Sequence, residues 1–255
     1  MWQVDAVLDA AKFGRTRALI LQCSSEGQSR DMLVKTLDQG ITETGLFCEY
    51  FGNVFAREAG LATPEPALVS IDLDTSHMIN ESSAAKQIGK RVPPGIAVGS
   101  QLIRPAPLPP RTTGLTPEQL NEAAAIYVYD MLVHHPDRRN ANPNVVMVRG
   151  HFVAIDFDMT FSFLWAIATP VEPWQVSRLS FPVDHYFSEV LAAAKTLDWD
   201  IPINRTLSID WTSLQATADA MPEGWRHHAD LVLAHVTTII DHRDEFRWEV
   251  LRTVS

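Results

Sequence analysis

HHPDRRNANPNVVMVRGHFVAIDFD, residues 134–158, decides how this chain is read. Its later part, NVVMV-RG-HFVAIDF, has two short β-branched apolar runs separated by Arg149-Gly150, the signature of a β-hairpin with a two-residue turn. Pairing across that turn sets residue 142 opposite 157 and 143 opposite 156, so Asn142 and Asp156 come side by side at the open end although 14 positions apart. Strand alternation then puts Asp156 and Asp158 on one face, away from Val153, Ile155 and Phe157. An amide oxygen beside one or two carboxylates suits a hard divalent cation, which completes its shell with water and anionic oxygens. Asp137 lies five residues before Asn142, in the loop leading into the hairpin. A carboxylate there takes up the proton of an incoming hydroxyl or holds that hydroxyl in line with its target.

Each of these residues also has a plainer reading. Asp137 beside Arg138 and Arg139 is the composition of a surface ion pair. Asn140, Asn142 and Asn144 are residues that turns favour, and Asp158 has the makings of a cap for the next segment. The spacing of Asp137, Asn142 and Asp156 favours chemistry for these three, and Asp158 is balanced between cap and ligand. His134 and His135 read as structural, and His227, His228, His235 and His242 as solvated positions on an amphipathic helix.

Upstream, RALILQC (17–23) and MLVKTL (32–37) read as two strands joined by the polar stretch Ser24 to Asp31. A helix is expected over about 44–59, with Thr42 or Thr44 as its N-cap and Gly60 where it stops, and a strand over 68–71. Residues 104–114, RPAPLPPRTTG, carry four prolines and read as a linker between two bodies. Thr116-Pro117-Glu118-Gln119 then has the form of a capping box opening a helix to about Val133. Beyond 175 the chain reads as helical over 184–197, 209–220 and about 223–250.

Bulk properties narrow the function classes. The net charge is −10 with no run of lysine or arginine, which disfavours direct nucleic-acid binding. Cys23 and Cys48 form no CxxC pair, which disfavours a disulfide scaffold or a structural zinc site. The N-terminus lacks a basic start and an apolar core, and no apolar run approaches the roughly 20 residues of a membrane span. A cytoplasmic protein with no membrane partner is expected.

Three pieces together resemble the HipA-like kinases, within the protein kinase and phosphoinositide kinase superfamily: LVKTLDQG, CEYFGNVFAREAGLATPEPALV, and YDMLVHHPDRRNANPNVVMV followed by AIDFD. They span about residues 17–160. The D-x-x-x-x-N then D-F-x order of these phosphotransferases reads here as Asp137 to Asn142 and Asp156-Phe157-Asp158, with Asp158 where conventional protein kinases have glycine. The resemblance implies Asp137 as catalytic base, Asn142 and Asp156 with Asp158 as magnesium ligands, and Lys35 paired with Glu49 as a phosphate clamp. The stretch between the first two strands, with Ser24, Ser25 and Gly27, is expected to fold over the phosphates, although one glycine is few for such a loop. In HipA-type kinases a serine of this loop can be a target of autophosphorylation, which makes Ser24, Ser25 and Ser29 candidates.

The expected fold is α+β, a two-lobed protein-kinase-like architecture. Residues 1–103 form a small β-containing N-lobe, 104–114 a proline-rich hinge, and 115–255 a larger, mainly helical C-lobe. The expected cofactors are ATP and Mg2+. The expected activity is transfer of the γ-phosphoryl to a serine or threonine of a protein substrate, in a toxin-type setting with an antitoxin or other regulatory protein as partner. A kinase of small molecules or lipids and a pseudokinase-like docking module are the alternatives; the presence of Lys35, Asp137, Asn142 and Asp156 weighs against the latter.

Overall fold

The computed structural model describes residues 1–11, 16–37, 40–89, 91–104, 107–165 and 171–255. Five strands close into a barrel: β1 (Trp2–Ala10), β2 (Leu19–Ser25), β3 (Gln28–Lys35), β4 (Pro66–Ile71) and β5 (Gly95–Gln101), in the order β1-β2-β3-β5-β4. All neighbours are antiparallel except β1 and β4, which meet in parallel through Trp2 with Val69 and Gln3 with Ser70. Three helices join the strands: α1 (Glu43–Glu58) after β3, and α2 (Leu73–Glu81) with α3 (Ser83–Ile88) between β4 and β5. Thr42 caps α1 by accepting from the Gly45 amide at 3.1 Å.

Two of these strands differ from the sequence expectation. β1 was read only as a non-secretory N-terminus, because register shifts between Val4 and Ala6 and between Val7 and Asp9 break its period of two. β5 carries glycine at both 95 and 99, which masks a strand by propensity. Gly99 is closely approached: a Cβ there would meet Met32 Sδ at 2.9 Å and Val69 Cγ2 at 3.2 Å, so both side chains would have to shift.

Helix α4 (Pro117–Leu132) opens with the full capping box, Gln119 N–H donating to Thr116 Oγ1 at 3.2 Å and Thr116 N–H to Gln119 Oε1 at 3.0 Å. It leads to the hairpin β6 (Val145–Val148) and β7 (His151–Ala154), whose turn residues Arg149 (φ 53°) and Gly150 (φ 88°) take the left-handed conformation a two-residue turn needs. The linker of the sequence reading lies partly outside the described residues, at 105 and 106. What is described is more than a tether, for Leu108 pairs with Met147 through two 2.9 Å backbone hydrogen bonds. The helices α5 (Ser188–Ala193), α6 (Asp200–Leu207), α7 (Trp211–Asp219), α8 (Glu223–Asp241) and α9 (Arg243–Thr253) follow. The helix expected over 223–250 is therefore two, broken at His242, and the one expected over 184–197 is the short α5 flanked by turns.

The buried apolar residues fall into two clusters. One fills the barrel and its contact with α2 and α3, around Leu19, Leu21, Met32, Val34, Val69 and Ile79. The other joins α1 to α4, the hairpin and the C-terminal helices, around Phe47, Phe51, Phe55, Tyr129, Phe157, Phe161, Trp225 and Val236. Among the described residues no helix is long and apolar enough to cross a membrane.

Candidate active site

Lys35 closes β3 at 5% exposure, and a charge in that position must find partners. It has three. Its Nζ donates to Glu49 Oε2 at 2.7 Å and to Asp156 Oδ1 at 2.5 Å, and lies 3.5 Å from Asp158 Oδ2. Burial opposes the ammonium charge, but the three carboxylates outweigh it and hold Lys35 above its ordinary pKa. Glu49, on α1, also accepts the backbone N–H of Phe157 at 2.7 Å, so one carboxylate fixes both the lysine and the Asp156-Phe157-Asp158 segment. Burial raises the Glu49 pKa. For Asp156 burial works the same way, but Lys35 overrides it and lowers the carboxyl below its usual value.

Asp156 reaches this position by a route other than strand alternation. The ladder stops at Val145 opposite Ala154, with one further bond from Ile155 N–H to Asn144 O at 3.0 Å. Asp156 then takes φ 60°, which ends the strand and redirects its side chain. Its side chain stays 36% exposed, against 6% for Glu49 and 7% for Asp158. Asp156 is thus the carboxylate of the three with an open side.

Asp137, on the loop after α4, does not line the cavity itself but is bonded to Asn142 and Asn144, which do. Asn142 Nδ2 donates to its Oδ2 at 2.8 Å, Asn144 Nδ2 reaches the same oxygen at 3.3 Å, and Arg139 Nη2 donates to Oδ1 at 2.8 Å. With its amide nitrogen turned to Asp137, Asn142 leaves its oxygen as the other branch. The loop itself is anchored by His135, read as structural, by Arg138, and by two residues the sequence reading passed over, Asp130 and His185. Asp130, fully buried on α4, accepts from Arg138 Nε at 2.6 Å and pairs with His185 Nε2 at 2.8 Å and His135 Nδ1 at 3.1 Å. Arg138 continues to the carbonyl of Asn144. Burial opposes the Asp130 charge, but Arg138 and His135 hold it far below the carboxylate range. The signal was present: Asp130 is the one charged residue inside the apolar run IYVYDMLV. Arg138 is a buried clip between helix, loop and hairpin, 1% exposed.

Lys35, Glu49, Asn142, Asn144 and Asp156 line one cavity of 370 Å³. Ala18 and Leu33 from the barrel and Val146 and Ile155 from the hairpin supply apolar lining, and Gln101, Leu102 and Ile103 line it with the chain leaving β5. Apolar surface for a flat base, an ammonium for phosphate and amide and carboxylate oxygens for a hard cation form a donor set that fits a nucleotide with magnesium.

Ser24, Ser25 and Gly27 are not brought to this cavity. Glu26 (φ 50°) and Gly27 (φ 77°) make a tight hairpin turn between Ser25 and Gln28, at the opposite end of β3 from Lys35. Seven residues of strand at ~3.3 Å each separate Gln28 from Lys35 by roughly 23 Å. Ser24 Oγ donates to Asp5 Oδ1 at 2.8 Å, toward β1. The connection that does line the cavity is the one between β1 and β2, through Ala11, Thr16 and Ala18; its residues 12–15 lie outside the described ones. Of the histidines read as solvated, His227 is exposed, whereas His235 of α8 stacks on Phe163 at 3.9 Å and His242, just beyond α8, on Trp174 at 3.7 Å, each half-buried.

Comparison with known proteins adds to this geometry. The crystal structure of a Helicobacter pylori proinflammatory kinase, CtkA, superposes with a TM-score of 0.56 over 98% of this chain and 98% of that one, at 12% identity, a likeness of fold. No curated protein sequence matches. A family model described as HipA-like kinase matches residues 4–246, nearly the whole chain and well beyond the 17–160 that carried the sequence resemblance. The chain belongs to the HipA-like kinase family.

Proposed function

We propose that this chain is an ATP- and magnesium-dependent kinase that transfers the γ-phosphoryl of ATP to a serine or threonine hydroxyl of a protein. The observation that carries the reading is the Lys35 ammonium held between Glu49 and Asp156 at the wall of a cavity that Asn142 also lines. The Lys35 ammonium is shared by Glu49 and Asp156, an excess of carboxylate that a divalent cation would help to offset.

In this reading Asn142 and Asp156, with Asp158, would hold the metal, and Lys35 would bind phosphate oxygens. Bound magnesium would supply neutralisation of phosphate charge. Asp137 orients the acceptor hydroxyl and takes its proton as that oxygen bonds to the γ-phosphorus and the bond to the β-phosphate oxygen breaks, leaving ADP. Asn142 and Asn144 hold Asp137 in position for this. A protein acceptor, a two-lobed closure around the cleft and a toxin-type setting with a regulatory partner complete the reading, and they rest on family membership.

The test is thermal stability with ATP and Mg2+ in wild type and in Asp156→Ala. A ligand of the native state at 100 times its Kd adds about 2.7 kcal/mol, roughly 5–10 °C for a chain of this size. The shift should need magnesium and shrink in Asp156→Ala, and Asp137→Ala should keep the shift while losing phosphoryl transfer. A wild type indifferent to ATP with magnesium would sink the proposal.

A further inference from the structure

Asn53 lies one helical turn beyond Glu49 on α1 and is 2% exposed, yet it lines the same cavity as Lys35 and Asp156. Thr63 Oγ1 donates to Asn53 Oδ1 at 2.6 Å. That length suits an O–H···O bond better than an N–H···O bond, which fixes which way the amide points. Its oxygen is committed to Thr63, so the Nδ2 donor is the branch turned to the cavity, with no partner among the described residues. Nδ2 is not sealed from solvent, so the cavity is where its acceptor comes from, water or an atom of a ligand that displaces it.

The other walls say what that acceptor belongs to. Apolar residues line the cavity from both sheets, as a flat heterocycle needs. On the wall formed by the chain leaving β5, the Gln101 N–H is given to Glu65 O and the Leu102 N–H to Asp31 O, each at 2.9 Å. Ile103 keeps a backbone donor and acceptor without partners among the described residues, a pair that matches the Watson–Crick edge of a base. With that edge on Ile103 and the phosphates toward Lys35, a purine turns its N7 edge to the inner wall, where Asn53 stands.

We propose that Asn53 is a specificity-determining residue that donates its Nδ2–H to N7 of a bound purine, with Thr63 setting the amide's orientation. This rests on the nucleotide reading of the cavity. The acceptor is common to adenine and guanine; a pyrimidine nucleotide lacks it.

Titration of wild type with the magnesium complexes of ATP and 7-deaza-ATP, in which N7 is a C–H, tests this without altering the protein. One hydrogen bond of ordinary net strength predicts 7-deaza-ATP binding about three- to tenfold more weakly. The preference should vanish in Asn53→Leu. In Thr63→Val, where the amide is no longer fixed, it should diminish, which keeps the test open if Asn53→Leu fails to fold. Equal affinity of wild type for the two nucleotides would overturn the role of Asn53 while leaving the nucleotide site standing. Absence of binding by either would overturn both.

Discussion

Lys35 concentrates the electrostatics of this molecule in one atom. Its Nζ is the counter-charge for Glu49, whose side chain is 6% exposed, and for the more open Asp156, and it lies 3.5 Å from Asp158. Lys35→Met would leave the buried Glu49 carboxylate without its ammonium, and breaking a buried pair by removing one partner costs about 3–5 kcal/mol. The sign of the pH dependence follows. Without the lysine that carboxyl titrates still further above its unfolded value, so the folded state binds its proton more readily and the deficit grows as pH rises from the normal carboxylate range toward the raised value. Urea unfolding of Lys35→Met against wild type should therefore show a larger loss at pH 8 than at pH 5. An equal loss at both would mean that Glu49 is balanced by something other than Lys35.

At the scale of elements, α8 holds down the chain that leaves the Asp156-Phe157-Asp158 segment. His235 stacks on Phe163 and packs edge-on against His134 at 4.6 Å, and His134 Nε2 lies 3.0 Å from the carbonyl of Pro173. Burial lowers the pKa of His134 to about 4 and, helped by His134 nearby, that of His235 to about 2. Both fold as neutral rings. An unfolded histidine takes a proton near pH 6.5, so the stability these two contribute is whole above that value and is lost as pH falls below it, by about 1.4 kcal/mol each at pH 5.5. His235→Phe keeps the ring stack and removes one of the two protonation costs. Its melting temperature relative to wild type should be roughly 3–6 °C more favourable at pH 5.5 than at pH 7.5. A difference independent of pH would show that His235 is not what makes the packing acid-sensitive.

At the scale of the whole molecule, what could be read in advance was what local chemistry fixes. Arg149-Gly150 announced its turn, Thr116 to Gln119 announced its cap, and Lys35 and Glu49 were singled out by a strand end and the helix after it. Ser24, Ser25 and Gly27 misled because sequence order does not say which end of a hairpin faces a cleft, and the barrel that decides it includes β1 and β5, the two strands whose patterns are broken, and closes where β1 meets β4. Asp130 and Asn53 escaped notice because their partners, at 138, 185 and 63, are set by tertiary packing. The last third was legible only as helices, yet it bears on the site. Trp225 of α8, 3% exposed, meets Phe47 edge-on at 6.1 Å and Tyr50 at 6.5 Å on α1, the helix that carries Glu49 and Asn53. The C-terminal helices therefore back the element that positions Lys35. Trp225→Ala should cost about 3–5 kcal/mol in urea unfolding. Because the void opens behind α1, affinity for ATP with magnesium should also fall in the variant at temperatures where it remains folded. Lost stability with unchanged nucleotide affinity would mean that α1 is held in place by the barrel and the 156–158 segment alone, and that the C-terminal helices serve some other surface.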